Sequence, residues 1–302
     1  MNKKTLILGG ILIILTTLAY LYQGPLKKWQ AGLGKERNFL AKVDVKSIDK
    51  IEIIKDGKTV TLERAGDRLK VGGTKDFYVE KSTADSLVNK LEEATKADLE
   101  LVSSNKDKKS ELKTDDSGVT VKLYQTGNMI MDFIIGKMGN DFSSTYISTA
   151  NTDKTYSIGV NLSVFNQPEW RDRTIFSSDK EKINKIRFQY PSGEFTIEKV
   201  GELWKGAKPY SFSVSKEKID KILDVMSNLT ALEIPEQNFA GTGLEKNNLI
   251  IQATGDGVDN TLMVGDSNGE ELYYAKNGIS DNIYLISKDT RNELNKKIQD
   301  LK

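Results

Sequence analysis

The chain contains no cysteine and no histidine in 302 residues. Without cysteine there is no disulfide, no thiolate nucleophile and no zinc site of the thiolate kind. Without histidine, the side chain that most often serves as general base near neutral pH is missing, and so is the commonest transition-metal ligand. Serine–histidine and cysteine–histidine hydrolases and histidine-ligated metalloenzymes are thereby excluded. A surplus of charge of either sign is also lacking. The 44 Lys and Arg residues face 43 Asp and Glu residues, for a formal net charge of +1, so nothing electrostatic points to nucleic acid or to a strongly charged substrate. Tryptophan is scarce, at three residues, which makes Trp170 and Trp204 conspicuous.

What is present begins with an apolar run from Thr5 to Tyr22 that carries no charge. As a helix it would reach about 27 Å, enough for a bilayer core with slight thinning or flanking anchors. Tyr20 and Tyr22 stand where an interfacial aromatic belt lies, and Lys27, Lys28 and Trp29 follow. The run ends Ala-Tyr-Leu-Tyr-Gln-Gly, without the small-x-small pattern of a cleaved signal. The expectation is an uncleaved transmembrane helix over residues 5–22, a short tail over 1–4 and a basic juxtamembrane stalk over 23–43. Lys3 and Lys4 favour a cytoplasmic N-terminus, while Lys27, Lys28, Lys35 and Arg37 pull the other way. The short tail tips the balance toward an extracytoplasmic body on a single-pass membrane protein.

The body repeats itself. Ile48-Asp49-Lys50-Ile51-Glu52-Ile53 returns as Ile183-Asn184-Lys185-Ile186-Arg187-Phe188, and at one offset Gly66 meets Gly201, Lys70 meets Lys205, Val79 meets Val214 and Lys81 meets Lys216. Further on, Gly136 meets Gly265 and Tyr156 meets Tyr284. Repeat domains are expected over 44–165 and 179–302, joined by a linker over 166–178, which suits the two domains that this length suggests. Each opens with a hairpin, through Asp56-Gly57 in the first copy and Pro191-Ser192-Gly193 in the second. A turn at Gly66 or Gly201 and a short strand with Leu69 or Trp204 follow.

A helix comes next. Its apolar stripe is Ala84, Leu87, Val88, Leu91 and Ala94 in one copy and Ile219, Ile222, Leu223, Met226 and Leu229 in the other. Ser82 and Ser215 are expected to cap these helices. Polar loops over 103–117 and 235–248 precede further strands, and a helix over about 288–301 closes the chain. The fold class is α+β, two tandem repeats of mostly antiparallel sheet with one main amphipathic helix each.

No residue set names a reaction. Ser-x-x-Lys occurs at Ser103–Lys106, Ser177–Lys180 and Ser215–Lys218, without the companion motifs that serine hydrolases of that type need. The stretch from Thr254 to Asn260 lacks the alternating acids and closing glutamate of a calcium loop and reads better as a hairpin turn. Gly241 to Lys246 has the wrong spacing for a phosphate loop. Asp115-Asp116 is an acidic pair in a polar loop, where solvation is the plainer account. No catalytic residue, metal or cofactor is assigned. The candidate interface is Trp170, Arg171 and Arg173 in the linker with Trp204, since tryptophan and arginine are favoured where proteins meet; the alternative for Trp170 is packing under the second repeat.

The N-terminal span, the first hairpin with Gly201-Glu202-Leu203-Trp204, the amphipathic helix, Gly243-Leu244, Met263-Val264-Gly265, Tyr273-Tyr274-Ala275, Tyr284-Leu285-Ile286 and the joining segment Trp170-Arg171-Asp172-Arg173-Thr174-Ile175 form one pattern. In that pattern the chain resembles the bacterial domain-of-unknown-function family 4340. The first copy departs from it, with Leu69 in place of the tryptophan and Glu111-Leu112 in place of Gly-Leu, and neither copy has the proline common after Gly-Leu. The resemblance implies a membrane-anchored envelope protein without known catalytic residues, related to proteins found beside ABC-transporter components of the gliding-motility auxiliary type. The expected function is that of a non-enzymatic accessory protein binding a protein partner in the envelope. The alternatives are an envelope hydrolase using carboxylates and a small-ligand sensor with a site between the repeats.

Overall fold

The computed structural model describes residues 35–73 and 75–302, with Thr16 before them. The expected membrane helix over 5–22 lies outside the described residues apart from Thr16, as does the first part of the expected stalk. Among the described residues no helix is long and apolar enough to cross a membrane. The fold is mixed α and β, mostly antiparallel sheet with few helices. The described chain divides into two compact units, one holding the residues up to Lys70 with Lys81–Glu169, the other Val71–Glu80 with Trp170–Lys302.

In the first unit the opening strand β1 (Lys35–Glu36) is followed by two 3-10 turns and then by β2 (Lys50–Lys55), β3 (Lys58–Ala65) and β4 (Arg68–Val71). Residues 35–43, the end of the expected stalk, are thus part of the unit. Asn38 Nδ2 donates to the carbonyls of Ala94 and Ala97 at 2.7 and 2.8 Å, and Leu40 is fully buried. In β2 the alternation puts Ile51 and Ile53 inside and Lys50 and Glu52 outside. Asp56 and Gly57 both take positive φ, 49° and 74°, the backbone of the two-residue hairpin turn whose twist matches the flanking strands. Ile51 then faces Leu62, and Ile53 faces Val60.

Helix α1 (Lys81–Lys96) buries Leu87, Leu91 and Ala94. Leu87, Val88 and Leu91 border the same small void as Ile51, Leu62 and Leu69, which places the helix on the apolar face of the sheet. Each Leu or Ile so buried contributes about 1.5–3 kcal/mol. Ser82 is the second residue of α1 and does not precede it. After β6 (Leu99–Ser103) a short helix, α2 (Asp107–Leu112), stands inside the stretch expected to be loop. Strands β7 (Val119–Gln125), β8 (Asn128–Met138), β9 (Thr145–Ser148) and β10 (Thr155–Ile158) complete the unit.

Segment Val71–Glu80, with β5 (Phe77–Tyr78), groups with the second unit. That unit continues with β11 (Thr174–Ser177), β12 (Ile183–Tyr190), β13 (Gly193–Val200), β14 (Leu203–Lys208), α3 (Lys216–Ser227) and β15 (Asn228–Thr230). It closes with β16 (Leu249–Gly255), β17 (Val258–Ser267), β18 (Leu272–Asn277), β19 (Tyr284–Ser287), α4 (Lys288–Leu294) and α5 (Ile298–Leu301). The Asp256-Gly257 pair is the turn between β16 and β17, as expected of a hairpin.

Three further local expectations are corrected. Leu229 is buried but lies in β15, because α3 stops at Ser227 and the chain turns to pair with β11. Ser215 holds the N-cap position of α3 yet its side chain makes no capping bond. The closing helix is broken over 295–297, where the Lys296 carbonyl accepts from Tyr190 Oη at 2.5 Å, while Ser287 caps α4 by accepting from the Thr290 amide.

The first unit orders its strands β1-β6-β10-β9-β8-β7-β2-β3-β4, and the second β14-β13-β12-β16-β17-β18-β19. From β4 to β10 and from β14 to β19 the succession is the same: third, second, first, then fourth to seventh in chain order. The first unit adds β6 and β1 beyond β10. In the second, β15 pairs with β11 in a separate two-stranded sheet.

Candidate functional site

The residues singled out in the sequence fall in two places in the second unit. Trp170 is buried, at 5% exposure. Beside it in sequence, Arg171 Nη2 donates to the Ile234 carbonyl at 3.3 Å and its guanidinium lies 5.4 Å from the Phe77 ring centre. Arg173 Nη1 donates to the Leu232 carbonyl at 2.9 Å, and the Ala231 amide donates back to the Arg173 carbonyl at 2.8 Å. The linker is therefore laid against residues 231–234 of the second unit by backbone-directed bonds. Segment Val71–Glu80 joins the same cluster. Phe77 meets Tyr284 edge-on at 5.9 Å between ring centres, the Asp172 amide donates to the Tyr78 carbonyl at 2.7 Å, and Asn282 Nδ2 donates to the Asp76 carbonyl at 3.0 Å. Phe77 was not among the sequence candidates; the apolar Phe77-Tyr78-Val79 run was its only signal.

Trp204 stands elsewhere. It lines a cleft of about 130 Å³ with Lys180, Glu181, Lys199, Lys216 and Asp220. The charges there are largely engaged with one another. Lys216 meets Asp220 at 2.7 Å and Lys180 meets Asp224 at 2.5 Å. The hydrogen bond from Lys216 holds the Asp220 carboxyl below its ordinary range. Above the cleft wall, the β13–β14 turn through Gly201, with φ 60°, carries Val200 and Leu203, 56% and 64% exposed. In the first unit the matching turn, through Gly66 with φ 66°, carries Ala65 and Arg68.

A larger cleft, of about 400 Å³, lies in the first unit, lined by Lys106, Lys109, Asp115, Asp116, Asp153 and Ile134 among others. It is bounded by α2 and the β9–β10 loop. Lys109 on α2 is 8% exposed, and its ammonium donates to the Thr152 carbonyl at 2.7 Å and, at 3.5 Å, to that of Thr149. Asp115 accepts from Ser117 Oγ at 2.6 Å and from the Ser117 amide at 3.1 Å. These bonds, the hydroxyl's first, hold its carboxyl below the ordinary range and keep it ionised. Sequence reading named Asp115 and Asp116 only as solvated loop acids and gave no sign of Lys109, since a lysine in a polar stretch carries no burial signal.

The three Ser-x-x-Lys spacings do not converge on a reaction. Ser103 Oγ accepts from the Asn105 amide, Ser177 ends β11, and Lys218 donates to the Lys302 carbonyl. Among the described residues no three acidic side chains group as metal ligands.

No curated protein and no solved structure matches the chain. The model of a domain of unknown function, DUF4340, matches residues 70–237 and 204–302, two overlapping segments that span well over half of the sequence, and the chain belongs to that family.

Proposed function

We propose that the chain is a membrane-anchored, non-enzymatic accessory protein of the bacterial envelope that binds a protein partner through its second unit. The observation that carries this reading is the apolar tip of the β13–β14 hairpin, Val200 and Leu203, held in solvent beside Trp204. Apolar side chains raised together on a turn gain free energy when a partner covers them; Trp204 itself is buried, at 9% exposure, and acts by holding the strand that carries them. Arg173, exposed in the linker, extends the candidate interface; Trp170 and Arg171 act by holding the linker in place. The partner class is taken from the resemblance: a subunit of an envelope ABC transporter of the gliding-motility auxiliary type. The anchor is the apolar run over 5–22, with the body extracytoplasmic.

The two units are, in this reading, copies of one ancestral domain. Their common strand succession supports it, and so does the fact that the two family matches begin at residues 70 and 204, inside β4 and β14. Detergent pull-down from envelope membranes tests the binding. Wild-type protein is expected to retain a transporter subunit that the double variant Val200→Glu, Leu203→Glu loses. Recovery of the tagged protein alone from both preparations would sink the proposal. Protease treatment of intact spheroplasts is expected to digest the body; a protected body would reverse the orientation.

A further inference from the structure

We infer that the cleft of the first unit binds a small zwitterion, a ligand bearing a primary ammonium within a few bonds of a carboxylate or phosphate. The starting point is Lys109. Its residue is more than nine-tenths buried, yet the acceptors of its ammonium are two neutral backbone carbonyls, and among the described residues no carboxylate pairs with it. A buried charge without a counter-ion is costly, and an anion arriving in the cleft would relieve it. An ammonium has three donors, so one remains beyond the two carbonyls.

The other walls decide what kind of anion can enter. Asp116 and Asp153 line the same cavity and have no hydrogen-bond or ion-pair partner among the described residues, and Asp115 beside them is held ionised by Ser117. A simple anion would be repelled by these three carboxylates, and a simple cation by Lys106 and Lys109. A ligand carrying both charges meets each with its opposite. Ile134 offers a short apolar floor for the atoms between them, and about 400 Å³ falls in the range of small-molecule sites.

In the second unit the stretch before β16 holds only a three-residue 3-10 turn, Leu244–Lys246, in place of the α2 that supplies Lys109. The site is thus a property of the first unit and does not depend on the partner reading above. Two sources share this chemistry: a soluble amino acid or aminoalkyl phosphate, and the headgroup of an amine-bearing phospholipid. Only the lipid source would also require the membrane anchor.

The test is amide NMR on the full chain in detergent, titrated with O-phosphoethanolamine, L-alanine and inorganic phosphate, and in parallel on nanodiscs with and without phosphatidylethanolamine. Saturable shifts are expected at residues 106–109 and 150–153 with O-phosphoethanolamine or L-alanine. Inorganic phosphate should bind at least about tenfold more weakly than the preferred zwitterion, the effect of losing one charge-assisted contact. Shifts from phosphatidylethanolamine discs alone would assign the headgroup as the source, and shifts from the soluble probes alone would assign a free ligand. Lys109→Met keeps the buried stem and should weaken binding about tenfold or more. Because that change also loosens the β9–β10 loop, the exposed pair Lys106→Gln and Asp153→Asn serves as the second arm, and each should weaken the zwitterion while leaving the free protein's spectrum unchanged beyond the immediate neighbours of the substituted residue. Equal response to phosphate and zwitterion with Asp153→Asn neutral, or no shift from any probe, would overturn the assignment and leave Lys109 as a clasp for the Thr152 loop.

Discussion

Phe77 and Phe212 stand at the same sequence offset that pairs Gly66 with Gly201, and they have different fates. Phe212 folds back on its own hairpin: the Gly206 amide donates to the Phe212 carbonyl at 2.8 Å, and the ring lies where a Cβ on Gly206 would be. Phe77 follows β4, which ends in Val71 where β14 has Gly206. A valine cannot accept a ring against its Cα as glycine does. The segment carrying Phe77 packs instead with Tyr284, Asp172 and Asn282, and belongs to the second compact unit. The two aromatics are thus put to different uses, and Gly206 leaves room for a ring where Val71 carries a side chain.

The contrast extends to the surface. The strand succession is common to both units, whereas α2, the charged cleft beside it, and the apolar tip at Val200 and Leu203 belong to one unit each. If the two frames are equivalent, equivalent cuts in them should cost alike. Leu87→Ala in α1 and Ile222→Ala in α3 remove fully buried side chains at matching positions. Each should lower stability by about 2–5 kcal/mol in urea unfolding monitored by far-UV circular dichroism. A loss from only one of them would break the equivalence.

The glycines of β8 and β17 make a finer version of the same comparison. A Cβ on Gly136 would overlap the Leu112 carbonyl oxygen, and one on Gly265 the Thr242 carbonyl oxygen. Backbone cannot swing aside as a side-chain tip can, so Gly136→Ala and Gly265→Ala should each cost about 1–3 kcal/mol by the same assay. A neutral Gly136→Ala would mean that the end of α2 does not press on β8 as the segment before β16 presses on β17.

The smallest of these effects is read in alkali. Burial, joined at Tyr156 by the bond to the Glu36 carboxylate, raises the Tyr156 phenol from 10 to about 12. Burial raises Tyr190 in the second unit to about 12 as well. The folded state thus favours the protonated phenol, and the stability this gives is whole below pH 10 and is lost as pH rises through about 12. Melting temperature should fall over that window, and Tyr156→Phe and Tyr190→Phe should each flatten the fall, which thermal scans from pH 9 upward would reveal.

Much of the frame was legible in the sequence because its signals are local. Asp56-Gly57 and the alternation around it fix a hairpin and its register, and the stripes of α1 and α3 fix a buried face. Less legible was whatever depends on distant partners. The stretch 103–117 has no apolar stripe, so α2 is invisible until Lys109 finds the Thr149 and Thr152 carbonyls. The break over 295–297 follows from a bond to Tyr190, more than a hundred residues earlier. Of the candidate interface, Trp170 and Trp204 stood out by rarity alone. Rarity does not tell an indole packed under a linker from one lining a cleft.

The most direct test of a partner surface confined to the second unit is photo-crosslinking in intact membranes, with a photoreactive phenylalanine placed at Leu203 and, separately, at the matching Arg68. The account predicts a discrete adduct with an envelope protein from position 203 and none from position 68. Adducts of equal yield from both positions, or from 68 alone, would contradict it.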